Sequence, residues 1–401
     1  MGFYTSPSFF MASAFLVVPA AVLGLTGRSM RAYGMTASCL MMALLFAGNP
    51  QGLAALGVFL TIASLGAYAV HRSWCTEGGA KSLAVYRAAL LSTIVPLVIY
   101  KVGAVFDRDL LGFIGISYIT FKAVQVLIEM RDGLIERMDP LDYLYFLTFF
   151  ATFTSGPIDR SRRFVEDIHA PRPRSDYADL LTRGVMMMFA GAAMQLVLAT
   201  IARGFYDASC APAGTLTLDA LTMPVACREV LRAYGYAAYL FFDFAGYSLM
   251  AMGLGRCFVI AVPANFRAPY IAVDIKDFWN RWHITLSTWL RDFVFMRFVR
   301  MATKRKLFSS RLQTACAAYM VDMALMGAWH GLTVDYLAYG IYHGVLLAVT
   351  EVYQKRSSFH KRHRKEGWYK VASWFVTLQL VVLGFALFSG QVSGLIAAAL
   401  G

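Results

Sequence analysis

The stretch from Asp274 to Arg300 reads DIKDFWNRWHITLSTWLRDFVFMRFVR and mixes aromatic residues with many charged ones. A helix this polar within a hydrophobic chain must lie against protein or line a wet cavity. We therefore predict an embedded helix that forms the first wall of an active site, with His283 near its middle. Its apolar face is predicted from five residues at helical spacing: Phe278, Trp282, Leu286, Trp289 and Phe293.

The rest of the chain has the composition of a membrane protein. Hydrophobic residues make up 58% of the chain and charged residues only 15%, whereas soluble proteins have roughly 25% charged residues. The apolar residues form repeated blocks, each close to the roughly 20 residues that cross a bilayer. We predict an all-α polytopic membrane protein with one integral membrane domain over residues 1–401. No basic segment precedes the first apolar block, so we interpret that block as a span and not as a cleaved signal peptide.

The apolar blocks predict about ten spans and two re-entrant segments. Asp142–Thr154 and the Asp274–Arg300 stretch are predicted to be re-entrant, because basic residues flank both of their ends. Basic and non-basic turns otherwise alternate, which predicts an inner-membrane protein with both termini outside. The predicted spans are Ser8–Leu25, Tyr33–Ala47, Leu53–Val70, Val85–Phe106, Leu110–Glu129, Gly184–Ala202, Leu231–Leu254, Leu312–Trp329, Tyr336–Val352 and Val371–Phe388.

The net charge of +13 falls in short segments between apolar blocks, as in cytoplasmic loops of membrane proteins. It therefore indicates topology and does not predict a nucleic-acid partner. The same charge can attract an acidic partner or anionic membrane lipids at the inner face. The six cysteines lack metal-ligand spacing, so no metal site is expected. Cys210 and Cys227 share the predicted outer loop Phe205–Arg228, where a disulfide can form.

His330 lies in MGAWHGLTVDY, at the end of an apolar run. Imidazole is the side chain best matched to general-base catalysis near neutral pH. A lone histidine at the end of a span is more often a packing residue. Trp329 and Gly331 flank His330 and indicate a shaped site, and His283 supplies a second embedded imidazole. His343, in IYHG, is interpreted as a packing residue.

Asp243 is an ionisable residue inside the apolar segment FFDFAGYS. Such groups are costly in a membrane and are usually functional or paired. One interpretation gives Asp243 a direct role in the site. The alternative makes it the ion-pair partner of an arginine, for example Arg281 or Arg291.

At these residues the sequence resembles the membrane-bound O-acyltransferase (MBOAT) family. FWNRWHITLSTWLRDFVF followed by MGAWHG looks like the signature pair of that family, and FFDFAGYSLMAMGLG is similar to its bacterial branch. GISYITFKAVQVLIEMRDGLI, GPIDRSRRF and NFRAPYIAVDIKDFWNRWH resemble its D-alanyl transfer (DltB-type) branch. Asn280 before Arg281 suits this branch better than the alginate-acetylating relatives. The resemblance extends from the Gly115 region to the Tyr353 region.

The resemblance implies a ring of transmembrane helices, with re-entrant helices, around a thin central funnel. It implies that His330 is the catalytic histidine and His283 its partner. The acyl group would arrive from the cytoplasm as a thioester on the phosphopantetheine arm of a small acidic carrier protein, so no tightly bound cofactor is expected. In the D-alanyl branch the cargo is D-alanine destined for teichoic acid, and a second envelope D-alanyl transfer protein is an expected partner.

The chemistry of acyl transfer assigns provisional roles to the remaining residues. His330 would deprotonate an acceptor hydroxyl, and the oxyanion that follows needs a hydrogen-bond donor. His283, Asn280 or the Trp282 indole are the candidate donors, and Trp329 and Asp243 are predicted to line the same site. The carrier would dock on an apolar and basic strip, unless that strip is only the basic end of a helix: Phe295, Met296, Val299, Arg300 and Lys304.

Two other functions stay open at this point. One is an O-acetyltransferase for an exported polysaccharide, which would differ in its donor. The other is a transporter or channel whose broken helices line a substrate path. The paired histidines and the lack of inverted repeats in the sequence argue against the transporter.

Overall fold

The structure is a computed structural model and describes residues 7–106, 108, 111–210 and 225–400. Within these ranges the chain is helical and contains no β-strand. Two 3₁₀ turns, Phe150–Thr152 and Pro269–Ile271, and two π-helical turns, Met194–Leu198 and Arg291–Phe295, interrupt or join the helices. The α-helices are α1 (Pro7–Leu25), α2 (Arg31–Phe46), α3 (Pro50–Trp74), α4 (Leu83–Val105), α5 (Ile116–Arg131), α6 (Pro140–Thr148), α7 (Ser161–His169), α8 (Arg174–Ala193), α9 (Ala199–Cys210), α10 (Val225–Cys257), α11 (Ile275–Trp279), α12 (Ile284–Leu290), α13 (Met296–Lys304), α14 (Arg311–His330), α15 (Val334–Arg356), α16 (Ser358–His363), α17 (Gly367–Phe388) and α18 (Gln391–Leu400).

Among the described residues, five helical segments are long and apolar enough to cross a membrane. Shorter apolar helices cover Phe9–Leu25 and Arg31–Phe46. α14 and α15 have 20 and 23 residues and are therefore also long enough, although they are less apolar. The predicted total of about ten spans stays a prediction. The five segments are Pro50–Trp74, Leu83–Val105, Arg174–Cys210, Cys227–Cys257 and Gly367–Phe388.

The helix boundaries follow most of the predicted spans, with three differences. The predicted span Gly184–Ala202 begins inside α8, which starts at Arg174, and ends inside α9, which continues to Cys210. α5 begins at Ile116, after Gly115 with a positive φ of 93°, and not near Leu110, which lies outside the described residues. α18 was not predicted: Gly390, with φ 76°, separates it from α17. Most of the predicted loop Phe205–Arg228 also lies outside the described residues.

The chain divides into two compact units. One comprises Met1–Gly191 with Tyr247–Ala264, and the other comprises Ala192–Gly246 with Asn265–Gly401. The single domain predicted for residues 1–401 stays a prediction. His283, His330 and Asp243 all belong to the second unit.

In the first unit, the predicted re-entrant segment Asp142–Thr154 folds as α6 followed by the 3₁₀ turn. Asp139 caps α6 by accepting hydrogen bonds from the backbone N–H groups of Leu141 and Asp142, and Arg31 contacts the same carboxylate at 2.9 Å. Hydrogen bonding from these backbone groups, helped by Arg31, holds the pKa of Asp139 below its ordinary value. Lys122, only 1% exposed, donates from Nζ to the carbonyl oxygen of Phe146 at 3.1 Å.

In the second unit, α14 and α15 cross with their backbones in contact. A Cβ atom at Gly327 would lie 2.5 Å from the Tyr336 carbonyl oxygen and 3.0 Å from the Cα of Gly340. α17 joins this pair, and the Tyr342 hydroxyl donates to the Leu380 carbonyl oxygen at 2.9 Å. The close crossing fixes α14, which ends at His330.

Candidate active site

The Asp274–Arg300 stretch is not the single helix that the sequence predicts. It consists of α11, α12, a π-helical turn and α13, and the break between α11 and α12 ends at His283. His283 adopts the left-handed conformation, with φ 43° and ψ 49°, and precedes the first residue of α12. The prediction of one continuous helix is therefore wrong, because left-handed backbone at His283 interrupts the α-helical path.

Asn265 anchors the broken segment. Its carbonyl oxygen accepts from the backbone N–H of Ile284 at 2.9 Å, and its Oδ1 accepts from Oγ1 of Thr285 at 2.6 Å. Asn265 is itself buried. These two contacts tie the residues directly after His283 to a separate part of the chain, and so hold the left-handed residue in place.

The His283 side chain lies in a nearly closed aromatic environment. It is 3% exposed, and its ring meets that of Phe244 edge-to-face with 4.6 Å between centroids. The centroid of the Trp329 ring lies 6.3 Å from that of His283. Among the described residues, no group forms a hydrogen bond with Nδ1 of His283. That nitrogen is therefore a buried polar atom without a partner in this part of the chain.

His330, the last residue of α14, reaches the same cluster. Its ring lies 4.7 Å from that of Trp329 and 5.0 Å from that of Phe388, and the side chain is half-buried. His330 and His283 interact electrostatically. The structure thus brings the two predicted histidines to the same tryptophan, Trp329, although they are 47 positions apart in the sequence.

Trp282, the residue before His283, packs in an aromatic core. It is 4% exposed, stacks on Phe278 with 5.7 Å between ring centroids and lies 4.8 Å from Phe385. The predicted apolar side of the stretch is buried at Phe278, Trp282, Leu286 and Trp289, whereas Phe293 is partly exposed. The break at His283 therefore redirects the backbone without exposing most of this side.

Asp243 accepts a hydrogen bond from Nε2 of Gln195 at 3.1 Å. Arg281 instead pairs with Asp277 at 2.7 Å, and Arg291 pairs with Asp292 at 3.0 Å. The alternative in which Asp243 pairs with one of these arginines is therefore wrong. Gln195 lies in a π-helical turn, a feature that is frequent at functional sites.

The remaining predicted residues are more exposed. Asn280, at the end of α11, is exposed and does not join the buried residues around His283. In the predicted docking strip, Phe295 packs on Tyr319 with 4.8 Å between ring centroids, and Met296 is 50% exposed. Val299 is partly exposed, and Arg300 and Lys304 are exposed. The second unit also has free, exposed Cys210 and Cys227, without the disulfide that the sequence allowed.

Sequence reasoning missed three residues of the second unit. Phe244 and Asn265 contact His283 or the residues after it. Both lie in stretches that resemble the family, but their residue types did not mark them as catalytic candidates. Asp322 is a buried carboxylic acid in α14. A signal for Asp322 was present, because an ionisable residue within a predicted span is a functional candidate by default.

Residues 55–389 match the model of the MBOAT, membrane-bound O-acyltransferase family. The chain belongs to this family. The enzyme is therefore an acyltransferase and a multi-pass membrane protein, and the alternative of a non-enzymatic transporter or channel is not supported. The histidine pair lies within the matched region.

The enzyme is similar over almost its whole length to teichoic acid D-alanyltransferases. It is 37% identical to that of Bacillus subtilis (strain 168) over 399 residues, which cover 97% of this chain and 98% of the relative. It is 32% identical to that of Lacticaseibacillus rhamnosus over 394 residues, or 96% of each chain. A probable alginate O-acetylase of Pseudomonas syringae pv. tomato is 31% identical over 287 residues, covering 69% of this chain and 49% of the relative.

Proposed function

We propose that the enzyme transfers a D-alanyl group from a carrier-protein thioester, across the membrane, to a hydroxyl of teichoic acid or of another envelope acceptor. The convergence of His283 and His330 on Trp329 carries this proposal. The 37% identity to a teichoic acid D-alanyltransferase, over 97% of this chain, supports the choice of cargo and acceptor. The donor would be D-alanine bound through a thioester to the phosphopantetheine arm of a small acidic carrier, so the enzyme needs no tightly bound cofactor.

The half-buried position of His330 suits a general base. Its imidazole takes the proton of the acceptor hydroxyl while that oxygen attacks the thioester carbonyl carbon. The tetrahedral intermediate then collapses, the carbon–sulfur bond breaks and the imidazolium returns the proton to the thiolate. The products are an ester on the acceptor and a free thiol on the carrier arm, so atoms and charge balance.

His283 is better suited to binding the reacting group than to taking its proton. The side chain is almost fully buried, and its ring is held by Phe244 and by the tied backbone after it. When Nδ1 carries a hydrogen it can donate to the developing oxyanion, and a pre-positioned donor in a dry site is the most effective kind. The exposed position of Asn280 favours His283 over Asn280 in this role.

The decisive test replaces His330 with alanine. We expect His330→Ala to reduce D-alanine ester formation on the cell envelope to background. The variant lacks the general base, whose contribution to the reaction rate is roughly 10²–10⁴-fold. Ester content is measured by alkaline release of D-alanine from cells that lack any other copy of the enzyme.

The matched control is His360→Ala, which removes an imidazole from α16, outside the site. Protein abundance in the membrane is compared for both variants. Unchanged ester formation by His330→Ala at normal abundance would remove His330 from catalysis.

For the carrier, we propose a docking surface at Phe295, Met296, Val299, Arg300 and Lys304. The exposed Met296 offers an apolar contact, and Arg300 and Lys304 offer exposed positive charge. An acidic carrier is attracted by such a surface, and electrostatic attraction of this kind mainly raises the association rate. An ordinary basic helix end would present the same charges without this specificity.

Charge reversal separates these two interpretations. We expect Arg300→Glu with Lys304→Glu to raise the KM for the carrier at least tenfold at low salt, with little change in kcat, because chemistry occurs away from α13. The control is Lys361→Glu with Arg362→Glu on α16, which reverses the same charge elsewhere. Equal increases in KM from the two pairs of substitutions would show that carrier binding depends on the net charge of the enzyme and not on this surface.

We further propose an inner-membrane location with both termini outside, as the distribution of basic loops indicates. Anionic lipids would contact the basic side, and a second envelope D-alanyl transfer protein would receive the cargo outside. A polysaccharide O-acetyltransferase is the second candidate function, because the chain is also 31% identical to a probable alginate O-acetylase. Acetyl transfer from its own donor, without D-alanyl transfer, would favour that candidate.

A further inference from the structure

A buried carboxyl group in α14 has no role in the proposed acyl transfer. Asp322 is 5% exposed, and no group among the described residues forms a hydrogen bond with its Oδ1. Among the described residues, no cationic side chain interacts electrostatically with this carboxyl group either. A carboxylate removed from water without a partner is energetically costly. In membrane-embedded helices, such groups commonly mark the path of a substrate or proton.

The position of Asp322 on α14 connects it to the active site. Buried residues spaced four apart form a ridge along this helix, and the next residue of that ridge is His330. Asp322 precedes His330 by eight positions, a rise of about 12 Å along the helix axis. The ridge residues are Thr314, Ala318, Asp322 and Met326.

Neighbouring contacts show which element Asp322 faces. Tyr319, three residues earlier and therefore on the same side of the helix, packs on Phe295 of the π-helical turn. Asp322 and Tyr319 also interact electrostatically. The carboxyl group thus lies on the side of α14 that meets the segment following His283 and α12.

We propose that Asp322 binds the ammonium group of an aminoacyl cargo as the cargo moves along α14 toward His330. This inference rests on the proposed function, in which the donor enters from the end of α14 that begins at Arg311. An alanyl thioester carries a positive charge at its α-amino group, whereas an acetyl or propionyl thioester carries none. A buried carboxylate without a partner is the complementary group for the charged cargo and offers nothing to the uncharged one.

Asp322 is accordingly a specificity-determining residue and not a base. At about 12 Å from His330 along the helix, it contacts the cargo before the acyl carbon reaches the catalytic imidazole. A metal ion is a poorer match than an ammonium group, because the described residues contain no group of three metal-ligating side chains.

The experiment compares two donors that differ only in the amino group. Carrier protein is charged with radiolabelled D-alanine or propionate, and transfer is measured in membrane vesicles from cells that make teichoic acid and lack their own copy of the enzyme. The variants are Asp322→Asn, which keeps the shape and removes the charge, and Asp322→Glu, which keeps the charge. Asp179→Asn is the matched control, because Asp179 is an exposed residue of α8 paired with Arg183 at 2.9 Å.

We expect Asp322→Asn to lower D-alanyl transfer at subsaturating donor by roughly tenfold or more, because passage of the charged cargo past residue 322 becomes the slowest step once no carboxylate offsets the cost of burying its ammonium group. Propionyl transfer should stay within twofold of the unaltered enzyme, which also shows that the variant is folded. Asp322→Glu should retain more D-alanyl transfer than Asp322→Asn, and Asp179→Asn should change neither reaction.

Two outcomes would overturn the inference while leaving the proposed function intact. One is an equal loss with both donors, which would assign Asp322 to the carrier arm or to folding. The other is no loss with either donor. If the unaltered enzyme itself fails to transfer D-alanine in these vesicles, then the proposed function fails instead.

Discussion

At the scale of single residues, the site depends on a histidine in an uncommon backbone conformation. His283 has φ 43°, a left-handed value that few residues other than glycine adopt, although asparagine, aspartate and histidine do so several-fold more often than the rest. β-Branched side chains are the most strained there. Replacements of His283 therefore change two properties, the imidazole and the fit of the backbone.

Two substitutions separate these properties. His283→Asn and His283→Val both remove the imidazole, and we expect both to lose most transfer activity. Only His283→Val should also destabilise the protein, by about 1–2 kcal/mol, because valine is strained in left-handed backbone. Thermal unfolding in detergent measures the difference, with His283→Asn as the matched control. Equal unfolding midpoints would show that the backbone at residue 283 relaxes without cost.

At the scale of helices, the α14–α15 crossing determines where His330 lies. Gly327 and Gly340 allow backbone contact, and a Cβ at Gly340 would lie 2.5 Å from the Met323 carbonyl oxygen. Small residues allow this close approach between membrane helices. Because backbone atoms are the neighbours, an added methyl group can be accommodated only if the helices move apart.

The same substitution should therefore have different effects at two helical glycines. Gly327→Ala should lower the unfolding temperature and reduce transfer, because its Cβ would approach the Tyr336 carbonyl oxygen to 2.5 Å. Gly57→Ala in α3, where nothing lies within 4 Å of the new Cβ, should be neutral or stabilising, by up to about 1 kcal/mol from helix propensity. Both are measured by thermal unfolding and ester formation. A stable, active Gly327→Ala variant would mean that α14 and α15 can move apart at little cost.

The sequence predicted most helices of this chain because long apolar blocks leave little choice in a membrane. Predicted span Leu312–Trp329 lies within α14, and Tyr336–Val352 lies within α15. The break before His283 was not predictable in this way. Phe278, Trp282 and Leu286 keep helical spacing through the break, so periodicity continues where the helix does not. The break depends on hydrogen bonds to Asn265, which is distant in sequence and carries no helical signal.

The candidate site was predictable to a similar extent. His283 and His330 stood out as imidazoles at an embedded element and at the end of a span, and the structure brings both to Trp329. The partner of Asp243 was not predictable, because Gln195 lies in a π-helical turn within a long apolar segment. Nor could spacing show that Asn280 is exposed while Trp282, two residues later, is buried.

At the scale of the whole molecule, the charge distribution makes a prediction about orientation. Basic residues cluster between α15 and α17, whereas neither end of the chain is strongly basic. Basic loops favour the cytoplasmic side. We expect epitope tags at either terminus to be cleaved by protease added to intact spheroplasts, and a tag inserted at residue 365 to be protected until the membrane is permeabilised. Protection of both terminal tags with cleavage at residue 365 would reverse the orientation.

The π-helical turn Arg291–Phe295 lies between α12 and α13. Whether a change in the number of residues falls in this turn affects the direction in which the side chains of α13 point. Each residue of an α-helix turns the chain by about 100°, and π-helical turns accommodate wider hydrogen-bonded rings than regular helix. The wider turn therefore takes up one residue more than regular helix does, and deleting that residue would let regular helix form with little rotation of α13 relative to His283. A deletion within α13 would instead rotate the residues that follow it by about 100°. A change of one residue at this turn can therefore leave the direction of the α13 surface as it is, whereas the same change within α13 would alter it.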